Sequence, residues 1–508
     1  MNRDWLTARG AVLAHWAEQQ PDEAAIISPS GNRTFAELEA NINRLAHGLR
    51  ALGMRAGDSL AVVCTNRVEY AEIVFACVRA GVRYTPINWH LVADEIAYIV
   101  NDCEARAVIG DAHIAGTLAV VPARAPAVDI AIAVGGPIEG YEDYDAVIAD
   151  ESEDLIDDPQ PGSRMLYTSG TTGRPKGVVR PPNYSTGLEA LTTAPGYGAG
   201  LGQRHLCTGP LYHGGPHGLS LTVPLSSGVG VVMMDRWDAA TALELIERYR
   251  VTHTHMVPTM FHRLLRLPAE VREQADVSSL EFVLHGAAPC PVETKFAVID
   301  WFGPVVWEYF AATEGSGSSC NSEDWLARPG TVGRPPHPDH VRILDDEGHT
   351  CPPGEVGEIC FRHDDTATFS YFKDDAKTAA SKRGDGYASV GDIGYIDDDG
   401  WLFVTDRNAE LILRGGVNIY PAEIEAALLA HPAVRDAGVI GVPDSEWGES
   451  VAAVVELDDL AGEDALIEWC HERLAAFKCP TTVHVTEALP RLDNGKLYRH
   501  QLRDQYRP

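Results

Sequence analysis

Two stretches of the chain, residues 34–100 and 205–257, alternate between helical and strand patterns. In the first stretch, apolar residues recur at helical spacing over residues 35–52 and 70–80, and residues 59–64 between them have the pattern of a buried strand. Strands that are joined through helices usually pair in parallel. We therefore predict an α/β fold with mixed, largely parallel sheets that are flanked by helices.

The pattern changes from about residue 341 onward to short strands joined by acidic turns. The tetrads DDEG (345–348) and DDDG (397–400) are flanked by alternating apolar residues, which is typical of hairpins. We expect a β-subdomain in this region.

The length of 508 residues exceeds that of one ordinary domain. After Arg407 the sequence forms a compact unit around the helical pattern PAEIEAALLAH (421–431), which begins with proline. We expect a large N-terminal domain at residues 1–405 and a small, mobile α+β C-terminal domain at residues 406–508.

Charge and composition exclude several classes of function. With 41 basic and 73 acidic residues the net charge is −32, which disfavours nucleic acid and anionic membranes as partners. No apolar run approaches the ~18 residues of a membrane helix, and the N-terminus lacks the apolar core of a signal peptide. The ten cysteines form no C-x-x-C pair and fit reduced core positions. We expect a cytoplasmic protein without integral membrane association, and a homodimer is compatible with the sequence.

The segment YTSGTTGRPKG (167–177) follows a strand pattern at residues 164–168. Its glycines free backbone N–H groups and its hydroxyls add donors, so the segment can wrap phosphate oxygens, with Lys176 adding a charge. A Walker P-loop is disfavoured because Pro175 precedes Lys176 and Gly177 follows it. A flexible linker is the weaker alternative. The other residues of the predicted phosphate loop are Thr168, Ser169, Gly170, Thr171, Thr172 and Gly173.

This loop closely resembles the signature loop of the adenylate-forming (AMP-binding) superfamily, which includes acyl- and aryl-CoA synthetases, adenylation domains and luciferases. The resemblance extends over nearly the whole chain. It includes the segments PLYHGGPHG (210–218), HGAAPCP (285–291), YFAATEG (309–315), GDIGYIDDDGWLFVTDR (391–407), RGGVNIYP (414–421) and PRLDNGKLYR (490–499).

The resemblance implies a site for ATP and Mg²⁺. Thr313 is expected to contact the α-phosphate and Glu314 to hold Mg²⁺, which prefers carboxylate oxygens. Asp392 and Arg407 are expected at the ribose and phosphates. The adenine is expected beside the small residues Gly286, Ala287 and Ala288 and under an aromatic ring, for which the sequence leaves open Tyr309 or Phe310.

The resemblance also assigns residues of the C-terminal domain. Lys496 takes the position of the catalytic lysine, and Asn494-Gly495 before it suits a tight turn. Arg414, Gly415 and Gly416 are expected to meet the pantetheine arm of coenzyme A. The hinge position falls on Ala409, where Asp or Lys is usual.

The acyl pocket is expected at His213, Gly214 and Gly215, beside the reacting carboxylate. Residues 210–218 contain no acidic residue to meet an ammonium group, which disfavours amino-acid substrates. Phe261 falls where some long-chain relatives carry a tryptophan gate. His253 and His255 alternate on one strand, and we favour a packed or pocket-lining role over metal binding.

We predict a two-step acid–thiol ligase, an acyl-CoA synthetase of the fatty-acid–CoA ligase type that uses ATP, Mg²⁺, coenzyme A and a small carboxylic acid. A medium- or long-chain, or otherwise bulky apolar, acid is favoured, and an aromatic or steroid side-chain acid is the alternative. The other classes that the sequence leaves open are a luciferase-like oxygenase, a carrier-protein-loading enzyme and a non-catalytic acyl-adenylate or acyl-CoA binder.

Overall fold

The computed structural model of the protein describes residues 2–168, 175–180, 202–345, 347–363, 369–407, 410–414, 417–444, 447–459, 461–492 and 495–506. The α-helices in these ranges include Arg3–Ala8, Leu13–Gln19, Phe35–Ala51, Val68–Arg79, Ala93–Asp102, Ala115–Leu118, Val121–Arg124, Tyr144–Ile148, Gly214–His217, Val223–Ser226, Ala239–Tyr249, Pro258–Leu265, Ala269–Gln274, Val292–Phe302, Ser322–Ala327, Asp375–Ser381, Pro421–Leu429, Glu463–His471 and Arg499–Tyr506.

The strands in chain order are β1 (Ala24–Ser28), β2 (Gly31–Thr34), β3 (Ser59–Val63), β4 (Arg83–Pro86), β5 (Ala105–Asp111), β6 (Ile130–Val134), β7 (Glu142–Asp143), β8 (Ser163–Arg164), β9 (Leu166–Thr168), β10 (Lys176–Val179), β11 (Arg204–Cys207), β12 (Gly230–Met233), β13 (His253–Met256), β14 (Phe282–His285), β15 (Val306–Ala311), β16 (Ser316–Cys320), β17 (Val341–Leu344), β18 (Gly357–Arg362), β19 (Ser370–Tyr371), β20 (Lys382–Arg383), β21 (Tyr387–Ile396), β22 (Leu402–Arg407), β23 (Ile412–Arg414), β24 (Val417–Ile419), β25 (Val434–Asp444), β26 (Gly448–Leu457) and β27 (Thr482–Val485).

The sheets of the N-terminal part are largely parallel. A six-stranded sheet has the order β7-β6-β5-β3-β4-β8 and parallel pairing throughout. An eight-stranded sheet has the order β16-β15-β14-β13-β11-β12-β1-β2, with antiparallel pairs at its two edges. Two antiparallel sheets follow, β19-β10-β9 and β17-β18-β21-β20 with β22 beside β21. The predicted α/β fold with an additional β-subdomain is confirmed.

The helices predicted at residues 35–52 and 70–80 are present as Phe35–Ala51 and Val68–Arg79. The first begins with a capping box, in which the Thr34 hydroxyl accepts from the N–H of Glu37 and the Glu37 carboxylate accepts from the N–H of Thr34. The apolar faces of both helices belong to one buried core with the six-stranded sheet. This packing holds the parallel strands whose ends approach the site.

The strand pattern at residues 164–168 forms two strands rather than one. β8 belongs to the six-stranded sheet, where Arg164 is the register partner of Tyr84 on β4. β9 pairs instead with β10 in the three-stranded sheet. Met165 between them is fully buried, and its N–H donates to the carbonyl of Tyr84 at 3.0 Å. The chain therefore changes sheets at a buried residue, which an apolar run alone does not indicate.

The helix expected near residues 217–225 begins earlier and is segmented. Gly214–His217 is α-helical, Gly218–Thr222 forms a wider π-helical turn, and Val223–Ser226 is α-helical again. Pro224 has no backbone N–H to donate to the preceding turn, which accounts for the break before the last segment. Pro216 lies in the first helical turn, where a backbone donor has no intrahelical partner.

The C-terminal unit, defined as strands β23–β27 with the helices Pro421–Leu429, Glu463–His471 and Arg499–Tyr506, has its own core. It contacts the helix Pro258–Leu265 and the residue after it: His262 donates to the carbonyl of Arg435 at 2.9 Å, and Arg266 donates to the carbonyl of Val434 at 2.9 Å. Strand β22 continues to Arg407, two residues beyond the expected domain boundary. Among the described residues, no helix is both long and apolar enough to cross a membrane.

Candidate active site

A cavity of about 2030 Å³ lies between the N-terminal sheets and the C-terminal unit. Residues from both parts of the chain line it. The predicted site residues that it brings together are His213, Gly214, Gly215, Ala287, Ala288, Tyr309, Phe310, Thr313, Glu314, Asp392 and Lys496.

Thr313 and Glu314 lie in the turn that joins β15 to β16 and are held by the three-stranded sheet. The Tyr371 hydroxyl donates to Oε1 of Glu314 at 2.8 Å, and the Arg180 guanidinium donates to the carbonyl of Thr313. Burial, reinforced by the Glu314 carboxylate, raises the pKa of Tyr371, so this hydroxyl remains a donor at neutral pH. Oε2 of Glu314 makes no hydrogen bond with the described residues, so the carboxylate fits the predicted role as a ligand of a hard cation.

Tyr309 and Phe310 are consecutive on β15, so their side chains point to opposite faces. The Tyr309 hydroxyl lies 3.1 Å from Nε2 of His255, and the Phe310 ring packs 5.7 Å from that of Phe361. A Cβ atom on Gly286 would lie 2.6 Å from the carbonyl oxygen of Tyr309. Gly286 thus packs against the strand and is not part of the cavity wall, whereas both rings reach the cavity.

Ala287 and Ala288 follow β14 directly and line the cavity. Ala287 has φ of +68°, a left-handed conformation that residues with a Cβ atom rarely adopt. Backbone strain of this kind is concentrated at ligand-binding loops.

Asp392 on β21 is almost fully buried and lines the cavity. Its register partner on the antiparallel strand β22 is Arg407. The two residues predicted at the ribose are therefore neighbours through strand pairing, although fourteen positions separate them in the chain.

Lys496 lies in a small hairpin of the C-terminal unit. Leu492 donates its N–H to the carbonyl of Lys496 at 2.9 Å, and Arg491 donates to the carbonyl of Gly495 at 2.9 Å. Arg491 also forms a two-point ion pair with Asp436 on β25, with both distances 2.6 Å. The hairpin is thus tied to the C-terminal sheet while Lys496 lines the cavity.

The part of the cavity where the acyl pocket is expected is lined by His213 and by residues of the helix Gly214–His217. A Cβ atom on Gly215 would lie 3.2 Å from the Tyr309 hydroxyl and 3.3 Å from Cε1 of His255. Burial lowers the pKa of His255 to about 4, so the His255 side chain is uncharged at neutral pH.

His253 is buried beside Phe282, with the ring centroids 6.0 Å apart, and burial lowers its pKa to about 4 as well. Among the described residues, neither His253 nor His255 belongs to a group of three potential metal ligands. Their packed and pocket-lining positions agree with the favoured interpretation.

Several predicted residues lie away from the cavity. Phe261 is fully buried, with its ring edge-on to His285 at 5.1 Å, so in this arrangement it does not reach the acyl pocket. Lys176 pairs with Asp374 at 3.2 Å, which raises the pKa of the lysine, while its neighbour Pro175 lines the cavity.

Arg414 donates to the carbonyl of Phe477 at 3.0 Å on the outside of the C-terminal unit. For Thr168, Arg407, Val417 and Asn418 only the backbone is described. The predicted residues that lie outside the described part of the chain are Ser169, Gly170, Thr171, Thr172, Gly173, Ala409, Asn494, Gly415 and Gly416.

The cavity residues that the sequence interpretation missed include Arg164, Arg180 and Tyr371. Arg164 and Arg180 flank the glycine-rich loop. A positive charge beside an apolar strand could have indicated from the sequence that these arginines face a ligand site. Tyr371 lies far from every motif in the chain, so only the pairing of β19 with β10 reveals its position.

Comparison with known proteins agrees with this geometry. Residues 13–371 match the model of the AMP-binding enzyme family, and residues 423–496 match the AMP-binding enzyme C-terminal domain. The chain is 35% identical to a 2-succinylbenzoate–CoA ligase of Bacillus licheniformis, covering 98% of this chain and 99% of the relative. It is 32% identical to a long-chain-fatty-acid–CoA ligase of Mycobacterium tuberculosis, covering 98% of both chains.

Two solved structures of o-succinylbenzoate CoA synthetase from Bacillus subtilis superpose with a TM-score of 0.80 at 30% identity. One is a complex with the acyl-adenylate and covers 97% of this chain and 98% of its own. The other is a complex with ATP and a magnesium ion and covers 97% and 99%. The chain therefore belongs to the AMP-binding enzyme family, and within it to the acid–CoA ligases that form AMP.

Proposed function

We propose that the chain activates a bulky carboxylic acid with ATP and Mg²⁺ as an acyl-adenylate and then transfers the acyl group to coenzyme A. The observation that supports this most strongly is that Lys496 lines the same cavity as Thr313 and Glu314. The Lys496 ammonium of the C-terminal unit and the Thr313-Glu314 turn of the N-terminal part thus line the same cavity.

In the first step, a carboxylate oxygen of the acid attacks the α-phosphorus of ATP, and the bond to the β-phosphate breaks to release pyrophosphate. Both reactants are anions, so catalysis depends on positioning and on compensation of charge. We assign charge compensation to Lys496 and contact with the α-phosphate to Thr313. Glu314 would hold Mg²⁺, which supplies electrostatic stabilisation of the phosphate oxygens.

The nucleotide would be held by groups that reach the cavity from the loop after β14 and from the strands β15, β21 and β22. We assign the ribose to Asp392 and Arg407, and the adenine to the space between Ala287-Ala288 and Phe310. Tyr309 is the less suitable cover because its hydroxyl is directed to His255. We assign binding of the β- and γ-phosphates to the loop of residues 168–173 together with Lys176.

In the second step, the domain of residues 406–508 turns, and the coenzyme A thiolate attacks the acyl carbon. A C–S bond forms as the bond to the phosphate oxygen breaks and AMP leaves. Arg414, Gly415 and Gly416 would meet the pantetheine arm after this turn, and the angle change would fall on residues after Arg407, including Ala409.

An apolar surface next to Arg414 supports this movement. Leu413, Trp447 and Phe477 are exposed by 54%, 48% and 46%, and the Arg414 guanidinium lies 6.0 Å from the Trp447 ring. Large apolar side chains that are exposed together are typical of a surface that another surface covers.

The size of the acid is inferred from the cavity, whose volume of about 2030 Å³ exceeds what ATP alone requires. A medium- or long-chain or otherwise bulky acid therefore remains our proposal, with an aromatic or steroid side-chain acid as the alternative. The relatives named above act on 2-succinylbenzoate and on long-chain fatty acids, which supports a bulky acid without selecting one.

The proposal is tested by assaying a panel of carboxylic acids for AMP formed with ATP, Mg²⁺ and coenzyme A. We expect acid- and CoA-dependent AMP formation, and Lys496→Ala should slow pyrophosphate release by roughly 10²–10³-fold. Lys382→Ala, on the exposed strand β20, is the matched control.

Other outcomes identify the alternatives. Oxygen-dependent product formation without coenzyme A would indicate a luciferase-like oxygenase. Transfer only to a pantetheinylated protein would indicate carrier loading, and ligand binding without turnover of any acid would refute the enzyme.

A further inference from the structure

Arg164 lines the cavity and has no counter-ion within the described part of the chain. It is the last residue of β8 and is half-buried. The described residues offer it neither a hydrogen bond nor an ion pair, although a guanidinium carries five N–H donors. Two other arginines of this acidic chain that have little solvent exposure are paired: Arg67 with Glu69 and Asp111, and Arg79 with Glu39.

The groups around Arg164 are neutral and already satisfied by one another. Nδ1 of His217 donates to the carbonyl of Leu211 at 3.0 Å, and the Tyr84 hydroxyl donates to Nε2 of His217 at 2.8 Å. The Tyr70 hydroxyl donates to the same Leu211 carbonyl at 3.0 Å. Burial, with the charge of Arg164 as the second cause, lowers the pKa of His217 well below its usual range. None of these three described side chains can therefore neutralise the guanidinium.

Two contacts show where Arg164 lies relative to His213 and Gly214, beside which the reacting carboxylate is proposed to bind. A Cβ atom on Gly214 would lie 2.9 Å from Cδ1 of Leu166, and one on Gly218 would lie 3.8 Å from Nη1 of Arg164. From Gly214 to Gly218 the helical segment rises ~6 Å, and from Leu166 to Arg164 the chain advances ~6–7 Å. Because the two distances match, the helical segment and the strand run side by side. Arg164 thus lies about one helical turn beyond Gly214, away from His213.

We infer that the acid carries a second carboxylate, which binds Arg164 while the first carboxylate reacts with ATP beside His213 and Gly214. The inference rests on the proposed function and adds the substrate class. A guanidinium binds a carboxylate through two parallel hydrogen bonds, and this geometry suits a buried anion site. A purely apolar tail would instead cover the cation without pairing it, which is unfavourable.

The apolar side chains Leu166 and Leu219, which also line the cavity, suit the carbon skeleton between the two carboxylates. Arg3 and Thr7 on the first helix also line the cavity, so the cavity does not restrict the acid to a short skeleton.

The test compares dicarboxylic acids of graded length, from glutaric to sebacic acid, with their monomethyl esters and with alkanoic acids of equal length. The ester keeps the shape of the diacid and removes the second charge. For the wild type we expect kcat/KM for AMP formation to be roughly 10- to 100-fold higher with the best diacid than with its monomethyl ester.

Variants of Arg164 connect this preference to the residue. Arg164→Met should remove the preference by lowering kcat/KM for the diacid and sparing that for the ester, and Arg164→Lys should retain part of it. Arg236→Met, which removes one exposed charge elsewhere, should leave the preference unchanged.

A wild type that turns over monoacids or esters as well as diacids would overturn the inference and leave the proposed function intact. Equal losses for all acids in Arg164→Met would also overturn it. Absence of AMP formation from every acid would refute the proposed function itself. The wild-type comparison decides the question even if a variant fails to fold.

Discussion

Gly495 lies directly against Thr259, so closely that a Cβ atom on Gly495 would be 2.3 Å from Oγ1 of Thr259. Gly495 precedes Lys496 in the C-terminal unit, and Thr259 is in the first turn of the helix Pro258–Leu265 of the N-terminal part. Gly495 also has φ of +79°, which favours glycine. The placement of Lys496 at the cavity therefore depends on close contact between the backbone of Gly495 and the side chain of Thr259.

Gly495→Ala should impair formation of the acyl-adenylate, because the added methyl group and the positive φ both displace the hairpin from Thr259. We expect pyrophosphate release to slow at least tenfold, the consequence of about 1.4 kcal/mol in activation free energy. Conversion of supplied acyl-AMP to acyl-CoA should change little, since Lys496 leaves the cavity before that step.

Gly462→Ala is the control for the first prediction. Gly462 lies in the same unit, has φ of −74°, and a Cβ atom there would meet nothing within 4 Å. Equal slowing of both half-reactions by Gly495→Ala would contradict the role of this contact.

Tyr371→Phe should weaken the response to Mg²⁺ because it removes the hydroxyl that donates to Oε1 of Glu314 at 2.8 Å. A hydrogen bond to a charged group contributes ~1.5–3 kcal/mol, so the Mg²⁺ concentration for half-maximal pyrophosphate release should rise roughly tenfold. Glu314→Gln should have a larger effect, since the charge itself is lost. Tyr395→Phe is the control, because the Tyr395 ring stacks on Phe403 away from Glu314. An unchanged Mg²⁺ response in Glu314→Gln would exclude the Glu314 carboxylate as a ligand of Mg²⁺.

The sequence contained enough information for the sheets and for many of the residues that line the cavity. Strand–helix alternation predicted the parallel sheets because apolar periodicity reflects burial directly. Thr313, Glu314, Asp392 and Lys496 were singled out because they lie in segments that resemble family motifs, and the fold brings them to one cavity. The pairing of Asp392 with Arg407 follows from the predicted DDDG hairpin between them.

The features that could not be predicted from the sequence depend on contacts between residues that are distant in the chain. The break at Met165 could not be predicted, since residues 164–168 are a continuous strand pattern whose two ends pair with different sheets. Phe261 was assigned to the acyl pocket by position in a motif, but the rotation of its helix directs the ring into the core. The exposure of Arg164 to the cavity follows from register with Tyr84, which no local pattern specifies.

Adenylation should become sensitive to pH through His262. Nε2 of His262 donates to the carbonyl of Arg435 across the contact between the two parts. Burial, with the charge of Arg266 as the second cause, lowers the pKa of His262 in this arrangement. When the parts separate, the pKa returns to about 6.5. The separated state then binds more protons, so docking is fully stable above pH ~6.5 and loses stability as the pH falls toward the lowered pKa.

The measurement is acid-dependent pyrophosphate release from pH ~5 to ~8, compared between the wild type and His262→Gln. Glutamine retains an N–H donor for Arg435 and does not titrate, so the ratio of wild-type to variant rate should fall below pH ~6.5. The other charged groups near His262 are Arg266, Arg491 and Asp436. His349→Gln in an exposed turn is the control, and a pH-independent ratio for His262→Gln would contradict the linkage.

Gly215→Ala should narrow the acyl pocket without affecting ATP. The new Cβ atom would lie 3.2 Å from the Tyr309 hydroxyl and 3.3 Å from Cε1 of His255, and these two side chains are buried and hydrogen-bonded to each other. Neither can yield easily, so acids that are bulky next to the reacting carboxylate should lose roughly tenfold in kcat/KM, and slender acids less.

Gly214→Ala is the matched comparison, because its Cβ atom would meet only Cδ1 of Leu166, the end of a flexible side chain. Both substitutions add an alanine to the same short helix and should raise its helix propensity equally. Steady-state assays with acids of graded width at saturating ATP measure the difference between the two variants. If both variants changed the preference for wide acids to the same extent, the wall formed by Tyr309 and His255 would not be the boundary of the acyl pocket.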